Sequence, residues 1–125
     1  PIFATDVYSF HVDRSPIETD TFLCTYHGAA SDLVFNDQVE QKILIPEIRE
    51  KLKQLNDGPE AEFERFLEEY FFDLHYQLKP NAQPVNLGLG HLWRLAVDHP
   101  TQKVLPCVHR APIETDGEYR LLLIC

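Results

Sequence analysis

His11 and Asp13 stand two residues apart near the start of the chain, and His109 stands alone near its end. Two imidazoles and one carboxylate form a ligand set for a divalent metal. Held on one face of the ion, with the opposite positions open, such a set suits non-haem Fe(II) that must take up oxygen and a co-substrate. The His-x-Asp spacing has a physical use, because residues i and i+2 of a strand project from the same face. A repeat links the distant histidine to this pair. Asp13-Arg14-Ser15-Pro16-Ile17-Glu18-Thr19-Asp20 and His109-Arg110-Ala111-Pro112-Ile113-Glu114-Thr115-Asp116 share the word Pro-Ile-Glu-Thr-Asp, and each opens on a residue able to bind a metal. Equivalent turns at neighbouring strand ends would bring those first residues together. The same residues also suit a plainer reading, with His11 a satisfied sheet histidine, Asp13 a turn acid before Pro16, and the repeats two similar strand-entry turns.

The elements that must position these groups read as strands, helices, then strands. Ile2-Phe3 and Val7-Tyr8-Ser9-Phe10 lead into His11, and Thr21 to Tyr26 follows the first repeat, both rich in β-branched and aromatic residues. Gly28 to Asp32 forms a turn before Leu33-Val34-Phe35. Pro46 opens a short helix with Ile48, Leu52 and Leu55 on one side, closed by Asn56-Asp57-Gly58. Pro59 starts a second helix, in which Phe63, Phe66, Leu67, Tyr70, Phe71, Leu74 and Leu78 fall at helical spacing and Pro80 ends the run. Such an aromatic stripe is a packing surface. Short strands are expected again near 85–89, 91–97, 103–108 and 119–125. The order predicts a mainly β, α+β domain spanning 1–125: an antiparallel sandwich or roll carrying a two-helix insertion at about 46–79.

Composition narrows the function. At 125 residues the chain suits one core. A formal net charge of -9, with no concentrated Lys/Arg footprint, argues against nucleic acid as a partner. The acidic stretch from Glu60 to Asp73 reads as the wet face of a helix. No apolar run approaches the length of a membrane span, so no membrane partner is expected. Cys24, Cys107 and Cys125 are odd in number and lack Cys-x-x-Cys spacing, which predicts buried thiols and a reducing, cytoplasmic setting. The chain opens on Pro1 rather than Met, so residues upstream are expected to be missing.

His11-x-Asp13, His109 and Arg120 together resemble the Fe(II)- and 2-oxoglutarate-dependent oxygenases built on a double-stranded β-helix, or jelly roll. The resemblance implies that His11, Asp13 and His109 ligate Fe(II). It implies that Arg120, eleven positions beyond His109, pairs with the far carboxylate of 2-oxoglutarate, a bond suited to the guanidinium fork. Tyr26, in Cys24-Thr25-Tyr26-His27-Gly28, is similar to a tyrosine that contacts the same carboxylate in that family. More narrowly, the segments around His11-Val12-Asp13, Tyr26-x-Gly28, Val108-His109-Arg110-Ala111-Pro112 and Arg120-Leu121-Leu122-Leu123 resemble an uncharacterised bacterial family related to these oxygenases; residues 37–84 lie outside the likeness. The activity implied is oxidation of the hydroxylation type, on a small molecule or a protein side chain.

Two other functions use the same residues. A cupin-like metal protein, an isomerase or a binder, would keep the three ligands and dispense with 2-oxoglutarate. A non-enzymatic interaction domain would keep only the turns and the acidic helix. Arg120 discriminates between the first two: it suits an exposed strand residue, or, entering by alternation a strand whose faces are both apolar, it calls for an anionic partner, either a carboxylate ligand or an internal acid. Among the remaining histidines His27 is the substitute ligand, whereas His75, His91 and His99 read as structural or exposed. Trp93 and Arg94 suit either a pocket mouth or a strand filler.

Overall fold

A computed structural model describes residues 2–113, 115 and 117–125. Glu114 and Asp116, which close the second repeat, lie outside the described residues. The chain is mainly β, with antiparallel sheets and two short α-helices. After an irregular N-terminal segment come β1 (Asp20–His27), β2 (Asp32–Val34), β3 (Val39–Gln41), α1 (Pro46–Leu55) and α2 (Phe63–Glu69). These are followed by β4 (Tyr76–Leu78), β5 (Val85–Asn86), β6 (Trp93–Ala96), β7 (Val108–Arg110) and β8 (Leu121–Ile124).

One sheet has the order β6-β1-β8, a second β5-β2-β7, and β3 pairs with β4. The register places Leu23 beside Trp93 and Ile124 in the first sheet, and Leu33 beside Val85 and His109 in the second. Leu23, Leu95, Trp93 and Leu122 of the first sheet pack against Leu33, Leu87 and Cys107, so the two sheets face one another across an apolar layer. A second cluster of Phe10, Val12, Val34, Val39 and Val108 lies beneath the N-terminal segment. A third, formed by Ile43, Leu52, Phe63 and Leu67, holds the helices. The β3–β4 pair is the stem from which the helical segment projects.

The first helix follows its sequence signals. Pro46 begins it, Leu52 is fully buried, and Asn56 ends it, its N–H donating to Leu52 O and its Oδ1 accepting from Gly58 N–H. Leu55, expected on the packed side, is instead exposed.

The second helix is shorter than the aromatic spacing predicts. A 3₁₀ turn at Glu60–Glu62 leads into α2, which stops at Glu69. Phe71 adopts a left-handed conformation with φ 61°, and a further 3₁₀ turn covers Phe72–Leu74. Tyr76-Gln77-Leu78 then forms a strand, with Gln77 opposite Glu40. Sheet pairing prevails here because a helix carried on to Leu78 would leave the β3 ladder without a partner, and buried backbone N–H and C=O groups must be paired. The aromatic stripe survives as packing: the Phe66 ring centroid lies 5.2 Å from that of Tyr70 and 5.9 Å from that of Phe72.

The strands expected before His11 are also replaced. Asp6 Oδ1 accepts the N–H groups of Tyr8 and Ser9, an Asx turn that competes with extended pairing. Ile2 and Phe3 pack against the helical cluster. The strand expected over 103–108 is confined to β7, since Pro106 has no N–H to give a ladder and Val104 and Leu105 are exposed. The acidic stretch of α2 does face solvent. Among the described residues no helix is long and apolar enough to cross a membrane.

Candidate metal centre

The N-terminal segment reaches the sheets through single antiparallel bridges rather than a full strand. His11 bridges His109 by two backbone bonds of 2.9 Å, N–H of each to O of the other, and it also bridges His75. Opposed residues of an antiparallel pair put their side chains side by side. The His11 and His109 rings accordingly lie 4.7 Å apart between centroids. Asp13 follows two residues on, tethered by Asp98 N–H to its carbonyl at 2.8 Å. The expected ligand set is therefore assembled: one ligand atom from each of His11, Asp13 and His109 lies within 4.8 Å of the others.

The geometry suits a small cation. Asp13 Oδ1 is 3.7 Å from His11 Nε2, and Asp13 Oδ2 is 3.6 Å from His109 Nε2. Ligand atoms about 2.1 Å from a shared ion stand about 3.0–3.4 Å apart in octahedral or tetrahedral arrangements, so small side-chain rotations close the set. The tautomers are already fixed. His11 Nδ1 donates to Ser9 O at 2.8 Å and His109 Nδ1 to Cys107 O at 3.0 Å; since a carbonyl only accepts, each proton sits on Nδ1 and each Nε2 presents a lone pair. Thr21 Oγ1 donates to Asp13 Oδ2 at 2.9 Å, orienting the carboxylate from β1. Burial pushes the His109 imidazole below its ordinary pKa, while the Asp13 charge pulls it back up. The neutral form, the one that ligates, is thus favoured.

The arginine that follows each repeat's first residue is ion-paired. Arg14 Nε donates to Asp98 at 2.9 Å and its terminal nitrogens to both oxygens of Asp73, joining the Asp13 segment to the turn after α2. Arg110 reaches Asp32 at 3.3 Å and lies over the Phe10 ring at 4.4 Å. Each repeat thus opens on a member of the triad, followed by an arginine held in an ion pair.

A cavity of about 920 Å³ opens beside the triad, with His11 and Asp13 in its wall together with Phe71, Leu74, His75 and Asp98. His75 is 4% exposed, and its ring centroid lies 5.9 Å from that of His11. Its Nδ1 is 3.0 Å from Ser9 Oγ. Burial pushes it down to about 4, helped by His11 and Lys42 nearby.

Arg120 and Tyr26 are placed elsewhere. Arg120 Nε donates to Ala29 O at 2.8 Å, and one terminal nitrogen is shielded without a hydrogen-bond partner among the described residues. The backbone there is tight: Gly28 has φ +85°, and a Cβ on it would stand 2.7 Å from Tyr119 O and 3.0 Å from Arg120 Cγ. Neither Arg120 nor Tyr26 lines the cavity at the triad. Tyr26 is 56% exposed, whereas its neighbour Thr25 is buried. His27, the substitute ligand, packs at a tilt against Tyr119 with ring centroids 5.4 Å apart, at the far end of β1 from Thr21. Trp93 fills the inter-sheet layer with its indole N–H on Leu87 O, and Arg94 pairs with Asp20.

Thr21, Ser9 and His75 at this centre were not legible as site residues. Thr21 carries a usable signal, as a hydroxyl at the start of the strand after the His-x-Asp turn; His75 carries none, because it reaches His11 only through the β3–β4 stem. Comparison of the chain with protein-family models, with curated proteins and with solved structures returned no match.

Proposed function

We propose that this chain is an Fe(II)- and 2-oxoglutarate-dependent dioxygenase on a jelly-roll core. The observation that carries the reading is the convergence of His11, Asp13 and His109 with both Nδ1 protons already committed to carbonyls. Two facing sheets that share the strands β1, β2, β5, β6, β7 and β8 in the orders β6-β1-β8 and β5-β2-β7 support the double-stranded β-helix reading. Arg120, assigned here to the distal carboxylate of 2-oxoglutarate, has a shielded terminal nitrogen with no partner among the described residues, but it stands off the wall of the cavity beside the triad. Bound Fe(II) would supply oxygen activation coupled to decarboxylation of 2-oxoglutarate to succinate.

The chain's own residues supply binding and orientation. His11, Asp13 and His109 would hold the ion. Thr21 holds the carboxylate, and Ser9 O and Cys107 O hold the imidazoles. The cavity beside the triad receives the substrate. Anaerobic titration with Fe(II), with and without 2-oxoglutarate, tests the reading. It predicts a visible charge-transfer band that requires both additions and is lost in Arg120→Ala.

A cupin-like metal protein is the second reading, favoured by one observation: Arg120 is absent from the wall of the cavity that opens beside the triad. Tight metal binding with no band at saturating 2-oxoglutarate selects it.

A further inference from the structure

The cavity beside the triad has a pronounced charge pattern. Asp6, Asp13, Glu68 and Asp98 are its carboxylates, and Arg14 is its sole Lys or Arg. The Arg14 charge is already consumed, since Asp98 and Asp73 both pair with it. A divalent ion at the triad would still leave the wall net negative. Glu68 and Asp6 come from separate segments, the end of α2 and the N-terminal Asx turn; neither forms an ion pair at contact distance among the described residues, although Asp6 lies within Coulombic reach of Lys42.

Thr5, Ser15 and the imidazoles of His11, His75 and His99 share the rest of the wall with apolar residues, of which the most conspicuous is Phe71. It lines the cavity yet is 57% exposed, and it occupies a left-handed conformation at φ 61° that bulky residues rarely adopt. Its N–H donates to Glu68 O at 3.1 Å, so carboxylate and aromatic ring belong to one turn. An acid beside an available aromatic face, with Val7 and Leu74 also in the wall, is the chemistry that recognises an organic ammonium or guanidinium on an apolar stem.

We propose that the substrate entering this cavity carries an organic cation, held by Phe71 and Glu68 with Asp6 from the other segment. The inference rests on the metal-centre reading only for what is done to the bound molecule; the cavity's charge preference is a property of the chain alone. An anionic or zwitterionic substrate would meet the wall's excess of carboxylates instead.

Choline and 3,3-dimethylbutan-1-ol, which share one shape and differ by a charge, are the test pair. Neither the quaternary nitrogen nor the tert-butyl group can ligate a metal. Titrated into the full chain at low ionic strength and followed by backbone amide shifts, choline is expected to bind about 5-fold or more tightly than the alcohol, with shifts centred on 5–7 and 68–71. The Asp6→Asn/Glu68→Gln double variant, which keeps the side-chain shapes and the Asx acceptor, is expected to bring the ratio to about 1 without weakening the alcohol. Equal binding in the wild type, an undiminished ratio in the double variant, or no binding of either probe overturns the proposal. Zn(II) affinity is measured in parallel. A chain that prefers choline but binds no metal refutes the metal centre and leaves this inference standing, whereas one that binds metal without the preference does the reverse.

Discussion

Thr21→Val isolates the support of the metal centre from its ligands. Valine keeps the branched shape and removes one hydroxyl, whose bond to Asp13 Oδ2 is 2.9 Å long. That oxygen is the one 3.6 Å from His109 Nε2. A hydrogen bond to a charged group contributes about 1.5–3 kcal/mol net. The Asp13 side chain is 34% exposed, so water can replace part of what the hydroxyl gives. We therefore expect about 1.4 kcal/mol, or about 10-fold weaker metal binding, at the low end of the range for groups that orient metal ligands. Competition against a chromophoric chelator, with Zn(II) in air and Fe(II) under anaerobic conditions, measures it at constant pH. Asp13→Ala should cost more than about 100-fold, because it removes the ligand itself. In an Asp13→Ala background the Thr21 substitution should have almost no further effect, since the cycle then lacks the acceptor. If Thr21→Val binds metal within 2-fold of wild type while Asp13→Ala loses it, Thr21 does not orient the carboxylate. If Asp13→Ala binds normally, the triad is not the centre.

Other expectations concern stability in metal-free protein. His75 is held near 4 in the folded chain, so between about pH 6.5 and 4 the unfolded chain binds a proton at this side chain that the folded chain refuses. Stability contributed by neutral His75 is complete above that window and falls with pH, by up to about 1.4 kcal/mol per pH unit; His75→Gln should flatten this slope in urea unfolding, and an unchanged slope refutes the assignment. Arg14→Ala leaves Asp73 and Asp98 facing each other's charge in a partly buried setting and should cost about 1–3 kcal/mol, with Arg14→Lys recovering less than half because it lacks the fork. Gly28→Ala places a Cβ 2.7 Å from Tyr119 O at φ +85° and should cost about 1–3 kcal/mol; a neutral result by denaturant midpoint would mean that the β1 exit relaxes freely. Leu52→Ala, at a fully buried position, should lose about 3–5 kcal/mol.

Much of the centre was readable from residue types and spacing. Two repeated turns, one after His-x-Asp and one opening on His109, implied neighbouring strand ends, and a turn's first residue is fixed relative to its strand. The structure brings Asp13 and His109 together by a different route, an isolated antiparallel bridge between His11 and His109 made by a segment that forms no strand of its own. Helix α1 was equally legible, because Pro46 and Asn56 are local signals acting on backbone groups within a few residues. Local chemistry misled where a longer-range partner competed. Leu74 and Leu78 continued a helical stripe, yet the ladder between Tyr76–Leu78 and Val39–Gln41 could be completed only by abandoning the helix at Phe71.

The sequence by itself determined the three candidate ligands, the likeness of the segments that open on Asp13 and His109, and the acidic balance of the chain. These depend on which groups exist and on spacings the backbone imposes. Only the tertiary structure decided that Thr21 and the carbonyls of Ser9 and Cys107 orient those ligands, that His75 stands beside His11, and that Arg120 and Tyr26 lie off the wall of the cavity. Each of these is set by how the β3–β4 stem and the two sheets pack, and packing joins residues far apart in the chain through contacts that no local spacing encodes.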